Sequence, residues 1–179
     1  MKAPSEVPEE PRMTADTASN WARTLAVSDD LAARREAARQ LSLHPEEAQV
    51  AAIALVTAAS DADESLREWA VSTLEDLGPP SAADLSELLR LADNSSSDIA
   101  WWAITLLGRL GSEASDAAAL LARRSLDETS PAVRQRAIWA LGQLGPAATG
   151  QRDTLITLAD SEDAQVARLA RQALERVPA

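Results

Sequence analysis

From Val133 to Leu144 the apolar residues Val133, Ala137, Ala140, Leu141 and Leu144 fall on one face at helical spacing, with polar residues between them. Ser130 and Pro131 precede this run and Gly145 and Pro146 follow it. That punctuation predicts a helix capped by Ser130, opened by Pro131 and ended at Gly145. The pattern recurs along the chain. Leu77-Gly78, Leu110-Gly111 and Leu144-Gly145 are separated by 33 and 34 residues, the length of one supersecondary unit. In this register Leu66, Ile99 and Val133 coincide, as do Ala70, Ala103 and Ala137, then Val71, Ile104 and Ile138, then Leu74, Leu107 and Leu141. Val166, Ala170, Leu174 and Val177 continue it, and Ala33, Ala37, Leu41 and His44 precede it more weakly. Degenerate terminal copies suit units that face water or cap an end.

A second helical segment is predicted in each unit, over about Pro45 to Ala59, Ser81 to Ala92, Glu113 to Ser125 and Ala147 to Ala159, with Leu55, Leu88, Leu121 and Leu155 in register. Short connections carry turn and capping residues, such as Asp61-Ala-Asp63 and Gly78-Pro-Pro80. No stretch reads as a β-strand. Two helices alone cannot bury their apolar faces, so the units must stack. The expected fold is all-α, an elongated right-handed α-solenoid of about four to five helical-pair repeats. Residues 1–12, with Pro4, Pro8 and Pro11 among acids, read as a disordered tail. Residues 13–179 read as the solenoid: an N-cap helix over 14–27, repeats over about 28–60, 61–92, 93–125 and 126–159, and a C-terminal capping helix over 160–177.

The run Asp127-x-x-Ser130-Pro131-x-Val133-Arg134-x-x-Ala137-x-x-Ala140-Leu141-Gly142-x-Leu144-Gly145 resembles a HEAT repeat, in particular the short HEAT-like type of phycobilisome lyase subunits. The resemblance implies an ARM-like superhelix with first helices on a convex face and second helices on a concave face, used mostly as a protein-binding scaffold. HEAT repeats often pair an Asp before the first helix with an Arg six residues on. Asp61 with Arg67 fits that spacing and Glu128 with Arg134 is a variant of it, whereas Asn94 with Ala100 and Ser161 with Ala167 break it.

Composition narrows the chemistry. Cys is absent, which excludes disulfides and thiol nucleophiles, and the single histidine, His44, cannot build a multi-histidine metal site. No glycine-rich phosphate loop is present. The formal net charge of -11, from 28 acids against 17 lysines and arginines, opposes nucleic acid and anionic membranes. No segment approaches the length of a membrane span and no secretory signal opens the chain, so it reads as soluble and cytoplasmic. The acidic clusters Asp29-Asp30, Glu46-Glu47 and Asp61-Ala-Asp63-Glu64 fall at helix starts, where carboxylates cap N–H groups. Asp93-Asn-Ser-Ser-Ser-Asp98 lacks the turn glycine and distal glutamate of a calcium loop. His44 reads as a structural or solvent-edge residue. No catalytic residue, metal or cofactor is assigned.

Two surfaces remain as binding candidates. Trp69 and Trp102 share a column at the border of the buried face and are expected to pack between repeats. Trp101 and Trp139 lie roughly 150° to 160° from the apolar stripe at 100° per residue. Either they anchor a partner, or each lies flat across a neighbouring helix, over Gly108 or Gly142. On the second helices Arg90 and Arg123 share an outward column with Thr57 and Thr157, with Glu87, Leu120 and Thr154 alongside. The two arginines form either a small basic strip suited to an acidic peptide or a solvated helix face. The leading expectation is a non-enzymatic scaffold for a protein or peptide partner, monomeric or weakly self-associating. Resemblance to the lyase-type repeats implies an alternative, a chromophore-handling lyase subunit or chaperone. A HEAT-like alkylpurine DNA glycosylase would need a basic concave face, which the acidic balance opposes.

Overall fold

Aspartates decide where several helices begin. Asp30, Asp63 and Asp163 accept hydrogen bonds from the backbone N–H groups of Ala32, of Leu66, and of Gln165 and Val166, at 2.9 to 3.2 Å. Each thereby satisfies donors that a helix leaves unpaired in its first turn. Thr14 does the same for Thr17 N–H. Ser130 does not: its hydroxyl meets that of Ser97 across the repeat junction at 3.1 Å, and the following helix starts at Pro131 without a side-chain cap. Gly111 and Gly145 end their helices with φ of 60° and 56°, a conformation that a Cβ opposes.

A computed structural model describes residues 14–127 and 129–179. The 1–12 stretch and the Glu128 partner proposed for Arg134 lie outside them. Among the described residues ten α-helices follow in order: α1 Ala15–Val27, α2 Leu31–Leu43, α3 Ala52–Ala58, α4 Glu64–Asp76, α5 Leu85–Ala92, α6 Ser97–Leu110, α7 Ala118–Ser125, α8 Pro131–Leu144, α9 Arg152–Ala159 and α10 Ala164–Leu174. The second segments are shorter as α-helices than their periodicity predicts. Each opens with a 3-10 stretch, Ala48–Ala51, Ala82–Asp84, Gly111–Ala117 and Gly145–Gln151. Tighter winding lets the chain reverse within a short connection, and Ala114 leaves helical geometry altogether at φ -93°, ψ 32°.

The helices form two layers. First helices lie side by side, α2 on α4, α6 on α8 and α8 on α10, while α3, α5, α7 and α9 each pack on the first helix that follows. Helix α1 lies across α2 and α3 and closes that end. The result is an α-solenoid. Leu74, Leu107 and Leu141 are fully buried, as are Ala70, Ala103 and Ala137 and the second-helix column Leu55, Leu88, Leu121 and Leu155. Ile99, Val71 and Leu174 are only half-buried, although the residues that share their columns in other units are buried. Trp102 is buried between α6 and α4, next to Glu68 and Val71, and Trp69 packs against the core.

Arginines tie the layers together through backbone carbonyls. Arg67 donates to Asp61 O and Ala62 O at 2.7 and 2.9 Å, Arg134 to Ser125 O at 3.2 Å, and Arg171 to Ala159 O at 2.6 Å. Arg109 reaches Leu74 O, Leu77 O and Glu75 O, and Arg152 reaches Val177 O. These carbonyls lie at or just beyond helix ends, where intrahelical donors run out. The Asp61–Arg67 pair inferred from spacing therefore joins through the Asp61 carbonyl. The Asp61 carboxylate pairs with Arg34 of the preceding first helix, and Asp63 pairs with Arg35.

Two outcomes follow. Leu107→Ala removes a fully buried side chain from a column that neighbouring units share, and urea denaturation should show a loss of about 2 to 5 kcal/mol. The Arg35 guanidinium, with help from Leu66 N–H, holds the Asp63 carboxyl at about 2 against an ordinary value of 3.8. A carboxyl depressed by folding stabilises the fold above its unfolded pKa and loses that contribution as pH falls through the folded one. The stability gap between wild type and Asp63→Asn should therefore be full above pH 3.8 and close as pH falls through about 2, measured by urea midpoints across that range.

Candidate partner-binding surface

The second-helix face carries charges that are already matched. Arg90 lies across Glu87, one turn back on α5, with contacts of 2.5 to 3.1 Å, and the Glu87 carboxyl is lowered by that hydrogen bond. Arg123 meets Asp93, the residue that follows α5, at 2.8 Å. The strip read from the sequence is thus two exposed ion pairs, and pairs of this kind are worth about 0 to 1 kcal/mol. Thr157 is exposed and its hydroxyl donates to Asp153 O, while Thr154 and Leu120 are half-buried. Exposed Leu126 and Ile156 add apolar surface on the same layer, which helical periodicity alone did not single out.

The first-helix face is built differently. Trp101 on α6 and Trp139 on α8 are both half-buried. Trp101 stands edge-on to Trp102, with centroids 4.7 Å apart and planes at 84°. Trp139 lies over Gly108: a Cβ at that glycine would fall 2.5 Å from the indole Cζ3. Gly142 similarly faces Ala173 of α10, whose Cα would be 3.0 Å from a Cβ there. Between the two indoles lies Arg136, its guanidinium carbon 3.9 Å from the Trp101 ring centroid and 4.9 Å from that of Trp139. Burial, then the nearby charge of Arg109, pushes the Arg136 pKa down from its usual value.

This trio walls a surface groove of about 270 Å³ that also includes Gln135, Gln165 and Leu169. A second groove of about 340 Å³ adjoins it between α8 and α10, sharing Trp139 and Leu169 and continuing over Gly142 and Ala173 towards Arg176. A separate apolar groove of about 300 Å³ lies between α1 and α3, lined by Ala22, Leu25, Val50 and Ile53.

The family model for HEAT repeats matches residues 52–142 and again 85–175. The chain belongs to the HEAT repeat family. Among curated protein sequences none matches it. Its fold is similar to that of a designed armadillo repeat protein solved in complex with the peptide (KR)4, at a TM-score of 0.60 and 20% identity, covering 87% of this chain and 80% of that one. It is also similar to the complex of CpcE and CpcF of phycocyanin lyase from Nostoc sp. PCC7120, at a TM-score of 0.60 and 23% identity, covering 98% of this chain and 70% of that one. A computationally designed armadillo repeat protein for modular peptide recognition overlaps at a TM-score of 0.56 and 20% identity, over 87% of this chain and 80% of the other.

In this HEAT chain the remaining polar motifs serve the fold. His44 closes α2 with its backbone N–H, which donates to Leu41 O, and is half-buried there. Asn94 accepts the N–H of Ser96 in a tight turn, and Asp93 is engaged with Arg123. Among the described residues no group of three or more His, Asp or Glu is placed to hold a metal ion, and no helix is long and apolar enough to cross a membrane. Arg136 escaped the sequence reading. Its signal was its place one turn before Trp139, on the face that also carries Trp101.

Gly108→Ala tests this geometry. The added methyl should displace the Trp139 indole from α6, destabilise the fold by about 1 to 3 kcal/mol and shift tryptophan emission to longer wavelength, as read by fluorescence-monitored unfolding.

Proposed function

We propose that this protein is a non-enzymatic HEAT scaffold that binds a protein or peptide partner through its first-helix face. The observation that carries the reading is the pair Trp101 and Trp139, half-exposed yet held in one arrangement by Gly108 and Arg136. Large aromatic side chains that need no reordering make good anchors, because little conformational entropy is lost on association. Support comes from relatives in fold that engage other chains: a designed armadillo repeat protein in complex with a peptide, and CpcE in complex with CpcF. Glu87, Arg90, Leu120, Arg123, Thr154 and Thr157 form the second candidate surface, whose ion pairs must open before they serve a partner. The acidic balance, at -11, weighs against a nucleic-acid ligand.

A second reading, a chromophore-handling lyase subunit or chaperone, draws on the likeness to the phycocyanin lyase complex over 98% of the chain. A perturbed bilin absorbance on mixing would favour it, and an unchanged spectrum would remove it. For the scaffold reading, affinity capture is compared among wild type, Trp101→Ala with Trp139→Ala, and Arg90→Ala with Arg123→Ala. Loss of about tenfold or more in retained partner is expected for the tryptophan variant, against a small change for the arginine variant. Capture unchanged by both would sink the two surfaces together.

A further inference from the structure

In a chain with 28 acids and 17 lysines and arginines, a half-buried arginine with neither a carboxylate nor a carbonyl partner is unexpected. Arg34, Arg35, Arg39, Arg90, Arg123 and Arg124 are paired with acids, and Arg67, Arg109, Arg152 and Arg171 with carbonyls. Arg136 has only the two indole rings, and among the described residues it makes neither an ion pair nor a hydrogen bond. Stacking occupies the faces of a guanidinium and leaves its in-plane N–H edge for another acceptor. The desolvation that lowers its pKa is a cost that an anionic ligand would offset.

Resting on the scaffold reading above, we infer that the groove beside Arg136 receives the carboxylate of a glutamate or aspartate set among aliphatic residues in a partner's polypeptide segment. Arg136 supplies a planar two-donor fork that matches one carboxylate. Trp101 and Trp139 shield that contact from water and strengthen it. Gln135 and Gln165, on the rim, are neutral, and no acid lines this groove to compete. Aliphatic neighbours of the carboxylate then lie over Leu169 and the Trp139 indole, the two residues that this groove shares with the adjoining one. A single cation in a groove of about 270 Å³ suits one carboxylate rather than a run of anions. The acidity of the rest of the molecule is screened beyond about 8 Å at physiological salt.

The probe is the blocked peptide acetyl-Ser-Leu-Glu-Leu-Ser-amide, compared with its glutamine isostere on the unaltered protein by following the two indole N–H resonances of Trp101 and Trp139. Saturable shifts with the glutamate peptide are expected, at least about tenfold weaker with the glutamine peptide and in Arg136→Gln, the scale of one charge-assisted hydrogen bond. Arg136→Lys, which keeps the charge and loses the fork, should weaken binding several-fold. Equal binding of the two peptides, or no shift of these indoles at millimolar peptide, would overturn the assignment whatever the variants do. If partner capture needs Trp101 and Trp139 and ignores Arg136→Gln, the surface survives and the carboxylate assignment falls. If capture ignores the tryptophans, the surface itself falls.

Discussion

A two-helix unit of about 33 residues cannot cover its own apolar surface, and every other feature of this molecule answers that constraint. Leu74, Leu107 and Leu141 are fully buried in a stack where each unit lies against its neighbours. Cohesion is therefore a property of junctions rather than of units. Where first helices meet closely, the sequence supplies glycine: Gly108 beneath Trp139 and Gly142 against Ala173. Where α4 meets α6, it supplies Trp102 and the long Arg109 side chain instead. Junctions within one stack are thus filled by different means: close backbone approach at Gly142 and Ala173, an indole over Gly108 between α6 and α8, and Trp102 with Arg109 between α4 and α6.

The same close approach creates the candidate surface. Trp139 sits over Gly108, packed against the neighbouring helix yet half-exposed, and with Trp101 it flanks Arg136. The second-helix face is built differently, since Arg90 and Arg123 are long, exposed side chains closed on partly exposed carboxylates. Complementarity without reordering favours the first face as the place where association costs least entropy.

The architecture was legible in the columns of the sequence because burial imposes a period that survives divergence. Ala70, Ala103 and Ala137 could be placed in the core from spacing alone. What escaped was set by local or long-range hydrogen-bond choices that periodicity does not encode. Ser130 looks like a cap, yet its hydroxyl goes to Ser97. Arg67 has the spacing of a partner for the Asp61 side chain, yet it takes the carbonyl, and Arg34 takes the carboxylate. For the packing of Trp139 the sequence offered Gly108 or Gly142, and the structure sets the indole over Gly108 while leaving it half-exposed. Arg136 was passed over because a lone arginine on an amphipathic helix reads as solvated until the neighbouring helix brings Trp101 beside it.

The arginine-to-carbonyl ties carry an evolutionary consequence. A carboxylate partner is lost with a single codon, whereas a main-chain oxygen persists through every substitution at its residue. Arg109, Arg134 and Arg171 are each anchored on an acceptor of the second kind. Neighbouring units can therefore drift in sequence without compensating changes across the junction, and a duplicated unit arrives with its attachment points already in place.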